Sequence, residues 1–179
     1  MSESDRIKWD SKYSVKLQKE TTVSEPSPRL KQLSSYLVGG NALEVACGLG
    51  GNSFYLVQKG YQVTAYDVSP VVIEFIREQA KNQPLIAEVI DLDTWAPVST
   101  QYDLVVMTKF LDRRLFPIIE SVTKPGGLFF METFYQSAAI RDEYKLLPGE
   151  LKERFGEWEN LFFEQNPSTG LQTILVKKP

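Results

Sequence analysis

Between Ala42 and Asn52, a mostly apolar segment is followed by three glycine residues. The segment carries one carboxylate, Glu44, and then reads Cys-Gly-Leu-Gly-Gly. Glycines allow the backbone to turn tightly and allow a ligand to approach the main chain closely. The free N–H groups at the start of a following helix would face the same crevice. This stretch therefore indicates a ligand-binding turn between a strand and a helix.

A second acidic residue, Asp67, stands seventeen residues after Gly50, where the strand-like segment 61–66 ends. A carboxylate at that point can accept two hydrogen bonds from a ribose diol. This order of elements predicts a nucleoside-cofactor site: a strand, a glycine turn, a helix and a second strand that is followed by an acid. A dinucleotide site would require Gly-x-Gly-x-x-Gly, and Ser53 occupies the sixth position, so the match to that fingerprint is partial.

Alternating helix and strand patterns predict the elements that position these residues. We expect residues 1–40 to form an N-terminal helical lid segment and residues 41–179 to form the cofactor-binding domain. The lid is predicted to hold helices at residues 7–17 and near residues 29–37. The later predicted elements are helices at 53–59, from Pro70 and after Leu115, and strands at 61–66, 85–90, 104–107, 128–133, 161–163 and 171–176.

Five strand–helix units and a terminal hairpin predict an α/β fold, a single-domain Rossmann-like seven-stranded mixed sheet. The hairpin turn at 166–170 would add antiparallel strands to one edge of the sheet. The connections between parallel strands should be right-handed, which places the ligand at the carboxyl ends of the strands.

The composition of the chain excludes several classes of protein and of site. The chain has 179 residues, 42% hydrophobic and 24% charged, which suits one globular domain. Its apolar runs fall short of the roughly 18–20 residues of a membrane span. The polar N-terminus lacks a signal-peptide pattern, so we expect no membrane association and a cytoplasmic location. A single cysteine, Cys47, excludes an internal disulfide and a cysteine-based metal cluster.

The sequence contains no histidine, so no imidazole can serve as a general base or metal ligand. We expect no metal site. The net charge of −3 and the pI near 5.2 argue against a nucleic-acid partner, which usually shows as a basic patch.

The residues from Glu44 to Gly50 resemble the Glu/Asp-x-Gly/Ala-Cys-Gly-x-Gly motif of class I S-adenosylmethionine-dependent methyltransferases. Ala46 stands where many of those enzymes have a glycine. The N-terminal Trp9-Asp10-x-x-Tyr13, followed by a Pro-x-Pro at 26–28, is similar to the lid of the tellurite-resistance and thiopurine methyltransferase-like group. Residues 124–127, Lys-Pro-Gly-Gly, are similar to that superfamily's turn before the fifth strand.

This resemblance implies S-adenosyl-L-methionine as the cofactor. Asp67 would bind the ribose and Asp91 with Leu92 the adenine, although Asp93 is an alternative to Asp91. The implied cofactor-binding residues are Glu44, Ala46, Cys47, Gly48, Gly50, Asn52, Asp67, Val68, Asp91, Leu92 and Thr108. Cys47 would act through its backbone, and no catalytic residue is assigned.

Four further residues are candidates for contact with the methyl acceptor. Trp9 and Tyr13 lie one helical turn apart and could stack over a sulfonium; the alternative is packing of the first helix on the core. Phe110 and Arg113 follow the fourth strand, where substrates enter in this superfamily. Arg113 could bind an anionic group bidentately, or it could be a solvated residue at a helix start.

The resulting hypothesis is methyl transfer from S-adenosylmethionine to a small molecule. A soft sulfur, selenium or tellurium nucleophile suits a chain without histidine because it needs little or no general base. Residues 107–110, Met-Thr-Lys-Phe, lack the Asp/Asn-Pro-Pro-Tyr motif of enzymes that methylate planar amino groups. Two alternatives stay open: a non-catalytic nucleoside-cofactor-binding partner protein, and an NAD-type oxidoreductase.

Overall fold

The computed structural model describes residues 3–19, 21–97, 102–136 and 140–179. The predicted lid segment therefore includes three residues, Met1, Ser2 and Glu20, that lie outside the described part of the chain. The chain divides into two compact units, Met1–Ala96 and Pro97–Pro179. Across the described ranges, no helix combines the length and the apolar character that crossing a membrane requires.

The first unit alternates helix and strand after its N-terminal segment. Its helices are α1 (Glu3–Lys19), α2 (Pro28–Gln32), α3 (Gly51–Gln58) and α4 (Pro70–Gln79), and its strands are β1 (Gly40–Val45), β2 (Tyr61–Asp67) and β3 (Leu85–Val89). All three strands run parallel, with β2 paired to both of the others. Val45 pairs with Tyr66, and Asp67 pairs with Val89, so the three carboxyl ends lie side by side.

Helix α4 shows how the sequence positions the end of β2. The Ser69 hydroxyl accepts a hydrogen bond from the backbone N–H of Val72, and Pro70 occupies the first turn, as the sequence predicted. Its buried face consists of Val72, Ile73, Phe75 and Ile76. Burial of each such side chain contributes about 1.5–3 kcal/mol. The N-cap of the helix therefore lies at a fixed point, two residues after Asp67.

The second unit contains the antiparallel part of the fold. Its elements are β4 (Tyr102–Thr108), α5 (Phe116–Val122), β5 (Thr123–Phe134), α6 (Glu150–Arg154), β6 (Glu159–Asn166) and β7 (Leu171–Lys177). Strand β4 runs parallel to β5, whereas β7 lies antiparallel to both β5 and β6. The predicted terminal hairpin is therefore confirmed.

Two details of the sequence prediction need correction. The Lys-Pro-Gly-Gly turn at 124–127 lies inside β5 rather than before it. The register passes from Tyr102–Thr123 to Leu104–Leu128, and Gly126 has φ +74°, so these residues form a bulge. The described residues that follow β3, 90–97, form turns and no helix.

The seven strands form one mixed sheet in the order β3-β2-β1-β4-β5-β7-β6. Helices alternate with the parallel strands along the chain, and β7 and β6 form the antiparallel edge of the sheet. The predicted α/β, Rossmann-like seven-stranded fold with a C-terminal hairpin is confirmed.

Residues 21–27, here called the strap, run past the start of α3. The backbone N–H of Gly51 donates to the Ser24 hydroxyl at 3.2 Å. The backbone N–H of Ser27 donates to the Asn52 side-chain oxygen at 2.8 Å. These two hydrogen bonds hold the strap against the first two residues of α3. In each bond the two partners are more than twenty positions apart in the sequence.

The strap explains why Gly51 is a glycine, and this gives a test. A Cβ at that position would collide with the carbonyl oxygen of Ser24 and come within 2.7 Å of that of Glu25. Because both obstacles are backbone atoms, Gly51→Ala should lower the free energy of unfolding by about 1–3 kcal/mol, measured by urea denaturation.

Gly156→Ala is the matched control, since the nearest atoms to its added Cβ lie at 3.3 Å. It should cost less than about 1 kcal/mol. Equal destabilisation by the two substitutions would show that the strap does not press on α3.

Candidate functional site

The side chain of Asp67 closes β2 and is buried, with 6% of its surface exposed. Its Oδ2 accepts the backbone N–H of Gly48 at 3.0 Å, and its Oδ1 accepts that of Ser69 at 3.0 Å. Burial raises the pKa of this carboxyl, while the two backbone hydrogen bonds act to lower it. Asp67 thus links the glycine turn after β1 to the start of α4.

The glycines of the turn differ in what surrounds them. Gly48 has φ +51°, and among the described residues a Cβ there would meet Tyr13 alone, whose hydroxyl oxygen would lie 3.0 Å away. Gly50 has φ +77°, but its Cβ would meet the Phe54 ring at 3.1 Å and Ile76 at 3.3 Å. Gly48 therefore faces Tyr13 of α1, whereas Gly50 is constrained by the packing of α3 and α4. Cofactor contact by Gly50 stays a prediction.

Ala46 and Cys47 shape the start of the turn. Ala46 has φ +56°, a left-handed conformation that costs an L-residue about 1–2 kcal/mol and that a glycine would adopt without this cost. Cys47 is buried and donates its backbone N–H to the Tyr66 carbonyl at 2.9 Å. Burial raises the pKa of its thiol well above the ordinary value, so the sulfur stays protonated and unreactive at neutral pH.

Glu44 lies in β1 with 1% of its surface exposed. Asn52 donates its side-chain N–H to Oε1 at 2.9 Å, and the Ser53 hydroxyl donates to Oε2. Burial raises the pKa of Glu44 to about 7 despite these hydrogen bonds. The start of α3 therefore stabilises this buried acid, and the predicted cofactor contacts of Glu44 and Asn52 remain predictions.

Helix α1 brings Tyr13 to the glycine turn. Burial raises the pKa of its hydroxyl far above the ordinary value, and the negative charge of Asp67 adds to the shift. Trp9 stacks on Tyr13 with ring centroids 5.7 Å apart, and the Lys12 ammonium lies 4.3 Å from the Trp9 ring centroid. Of the two aromatic residues, Tyr13 is the one beside Gly48.

The predicted adenine residues follow β3. The backbone N–H of Ile90 donates to the Asp67 carbonyl at 2.9 Å, which holds the end of β3 beside that of β2. Asp91 accepts the backbone N–H of Asp93 at 2.9 Å within a local turn, and Leu92 is buried. Val68, which follows Asp67, is also buried. Their contacts with adenine stay predictions.

The predicted residues of the second unit lie at and beyond the end of β4. Thr108 is its last residue, and Phe110 is half-buried. Arg113 donates to both carboxylate oxygens of Glu150, at 2.6 and 2.8 Å. An anionic acceptor would have to compete with Glu150 for this guanidinium, so anion binding by Arg113 remains a prediction.

The sequence analysis missed the roles of two side chains. From the sequence, Ser53 was noted only because it departs from the dinucleotide-binding fingerprint. In the structure its hydroxyl donates a hydrogen bond to Glu44. Asp10 appeared only as part of a motif, yet it accepts a hydrogen bond from the Ser69 hydroxyl. The Asp10–Ser69 partners are 59 positions apart, and no local pattern signals such a pair.

The strand order, the glycine turn after β1 and the acid that ends β2 define the class I methyltransferase fold. The solved structure of TehB from Haemophilus influenzae has a TM-score of 0.75 with this chain at 24% identity, covering 91% of this chain and 65% of that one. Magnesium protoporphyrin IX methyltransferase from Synechocystis PCC 6803, solved with bound SAH, has a TM-score of 0.74 at 12% identity and covers 97% of each chain.

The family model described as tellurite resistance protein TehB matches residues 7–172, and the chain belongs to this family. A curated relative in Haemophilus influenzae, the probable S-adenosyl-L-methionine-dependent methyltransferase TehB, is 31% identical over 137 residues. That match covers 69% of this chain and 48% of the relative. The chain thus spans about half the length of the curated TehB proteins it matches.

The buried acid Glu44 predicts a pH dependence of stability. Between the ordinary carboxyl value of 4.5 and about 7, the folded protein holds a proton that the unfolded chain has released. Stability should therefore fall as the pH rises through this window. We expect the difference in unfolding free energy between wild type and Glu44→Gln to change by about 3 kcal/mol from pH 5 to pH 8, with wild type losing stability.

Urea denaturation at the two pH values measures this difference. Glu88→Gln, at an exposed carboxylate on β3, is the control and should follow the wild-type profile. Parallel profiles for wild type and Glu44→Gln would mean that Glu44 is ionised throughout and that its assigned environment is wrong.

Proposed function

We propose that this chain binds S-adenosyl-L-methionine at the site formed by Gly48, Asp67 and Tyr13 and transfers its methyl group to a small molecule. The observation that carries this proposal is Gly48: among the described side chains, Tyr13 alone approaches the space a Cβ would fill, and Gly48 is hydrogen-bonded to the acid that ends β2. Membership of the TehB family supports the same activity.

The residues present fit this cofactor. A carboxylate at the end of β2 suits a ribose diol, and a left-handed glycine lets a ligand approach the backbone. S-adenosylmethionine, when bound, supplies a methyl group that its positively charged sulfur already activates. The task of the protein is then to align the partners and to exclude water from between them.

The titratable groups that interact electrostatically with Asp67 favour an acceptor that needs no general base. Asp10, Glu44 and Asp67 each accept hydrogen bonds from protein groups. Tyr13 stays protonated at neutral pH, since its pKa is raised above an already high ordinary value. A nucleophile with a reactive lone pair at neutral pH is therefore the best match to this site.

We infer that the acceptor atom is a soft sulfur, selenium or tellurium, an inference that the family's tellurite-resistance description also supports. A thiol acceptor would first release its proton to solvent. A lone pair of the thiolate then forms the bond to the methyl carbon, and the electrons of the broken carbon–sulfur bond pass to the cofactor sulfur. Both sulfur atoms end as uncharged thioethers.

A thermal-shift comparison separates this proposal from an NAD-type oxidoreductase. S-adenosylhomocysteine at one hundred times its Kd should stabilise the protein by about 2.7 kcal/mol and raise Tm by roughly 5–10 °C, whereas NAD should leave Tm unchanged. A shift with NAD and none with S-adenosylhomocysteine would contradict the proposal. Asp67→Ala should weaken binding about 10- to 100-fold, and Glu88→Ala should bind as wild type does.

The acceptor class is tested with a matched pair of substrates, an aliphatic thiol and the alcohol of the same carbon skeleton. We expect methylation of the thiol alone, with kcat/KM rising with pH as the thiol ionises. S-adenosylhomocysteine production followed by chromatography measures the rate. Faster turnover of the alcohol would overturn the soft-acceptor inference, and binding without turnover of any acceptor would indicate a non-catalytic cofactor-binding protein.

A further inference from the structure

A hydrogen bond connects the N-terminal helix α1 to Ser69, the residue that caps α4. The Ser69 hydroxyl donates to Oδ1 of Asp10 at 2.5 Å. Ser69 is fully buried, and its backbone N–H donates to Asp67. A single serine thus contacts α1, caps α4 and holds the acid at the end of β2.

The same face of α1 carries Tyr13. Residues three apart on a helix lie on one side of it, so Asp10 and Tyr13 point the same way. Where Asp10 meets Ser69, Tyr13 meets Gly48, with its hydroxyl 3.0 Å from the position of an added Cβ. The two contacts fix the rotation of α1 about its axis as well as its position.

Helix α1 packs through one half-buried face, which includes Trp9, Tyr13 and Leu17. From Arg6 to Lys19, each side chain is half-buried or exposed, and none is fully buried. The negative charge of Asp10 also acts unfavourably on Asp67. The hydrogen bond from Ser69 offsets this repulsion and fixes Asp10 on the face of α1 that carries Tyr13.

We propose that Asp10 is a positioning residue: its hydrogen bond from Ser69 holds α1 so that Tyr13 borders the cofactor site beside Gly48 and Asp67. This inference rests on the proposed function. It adds Asp10 and Ser69 to the residues on which cofactor affinity depends, although neither side chain needs to contact the cofactor.

The test compares Asp10→Ala with Asp10→Asn, whose amide oxygen can still accept the Ser69 hydroxyl. By calorimetry, Asp10→Ala should lower the affinity for S-adenosylhomocysteine about tenfold, and Asp10→Asn should restore most of it. Ser11→Ala, at an exposed position on the same helix, should bind as wild type does. In the free protein, hydrogen exchange of α1 should speed up in Asp10→Ala but not in Asp10→Asn.

A double-mutant cycle separates positioning from general structural damage. In a Tyr13→Ala background, Asp10→Ala should change the affinity by less than about twofold, since there is no ring left to position. Wild-type affinity in Asp10→Ala, or an equal loss with and without Tyr13, would overturn the proposal. Absence of S-adenosylhomocysteine binding in the wild-type protein would instead overturn the proposed function, and this inference with it.

Discussion

The carboxylate of Asp67 is the group on which the rest of the candidate site depends. It is buried at the end of β2, and each of its oxygens accepts one backbone N–H, from Gly48 and from Ser69. A buried carboxylate is unfavourable unless it is hydrogen-bonded, so burial and pairing constrain the backbone on both sides of it. The turn after β1 and the start of α4 are fixed relative to each other by this one side chain.

Glu44 plays a comparable role one strand away. Its oxygens accept hydrogen bonds from Asn52 and Ser53, the second and third residues of α3. Asn52 in turn accepts the backbone N–H of Ser27 in the strap. The two acids together define the ends of β1 and β2, the starts of the following helices and the path of the strap.

Much of the fold could be predicted from the sequence because the residues that begin helices and form turns lie next to each other in the chain. Ser69 and Pro70 mark the start of α4, and the turn at 166–170 marks the hairpin. The bulge in β5 escaped prediction because Lys-Pro-Gly-Gly is equally compatible with a turn between elements. Its place inside a strand is decided by pairing with β4.

The positions of some candidate residues, as distinct from their roles, could be predicted for the same reason. Asp67 and the glycine turn are adjacent to strand ends, and strand order alone brings them together. The functions of Gly50 and Gly51 could not be separated from that of Gly48, because the difference lies in what packs against each: Phe54 for Gly50, the strap for Gly51 and Tyr13 for Gly48. Such neighbours come from distant parts of the chain, and sequence spacing does not encode them.

The central claim is that Gly48, Asp67 and Tyr13 form the cofactor site. A crystal structure of the S-adenosylhomocysteine complex tests it most directly. We predict that the ribose hydroxyls lie within hydrogen-bonding distance of the Asp67 carboxylate, with the ligand beside Gly48 and Tyr13. A ligand bound elsewhere on the chain, or one that leaves Asp67 without a contact, would contradict this account.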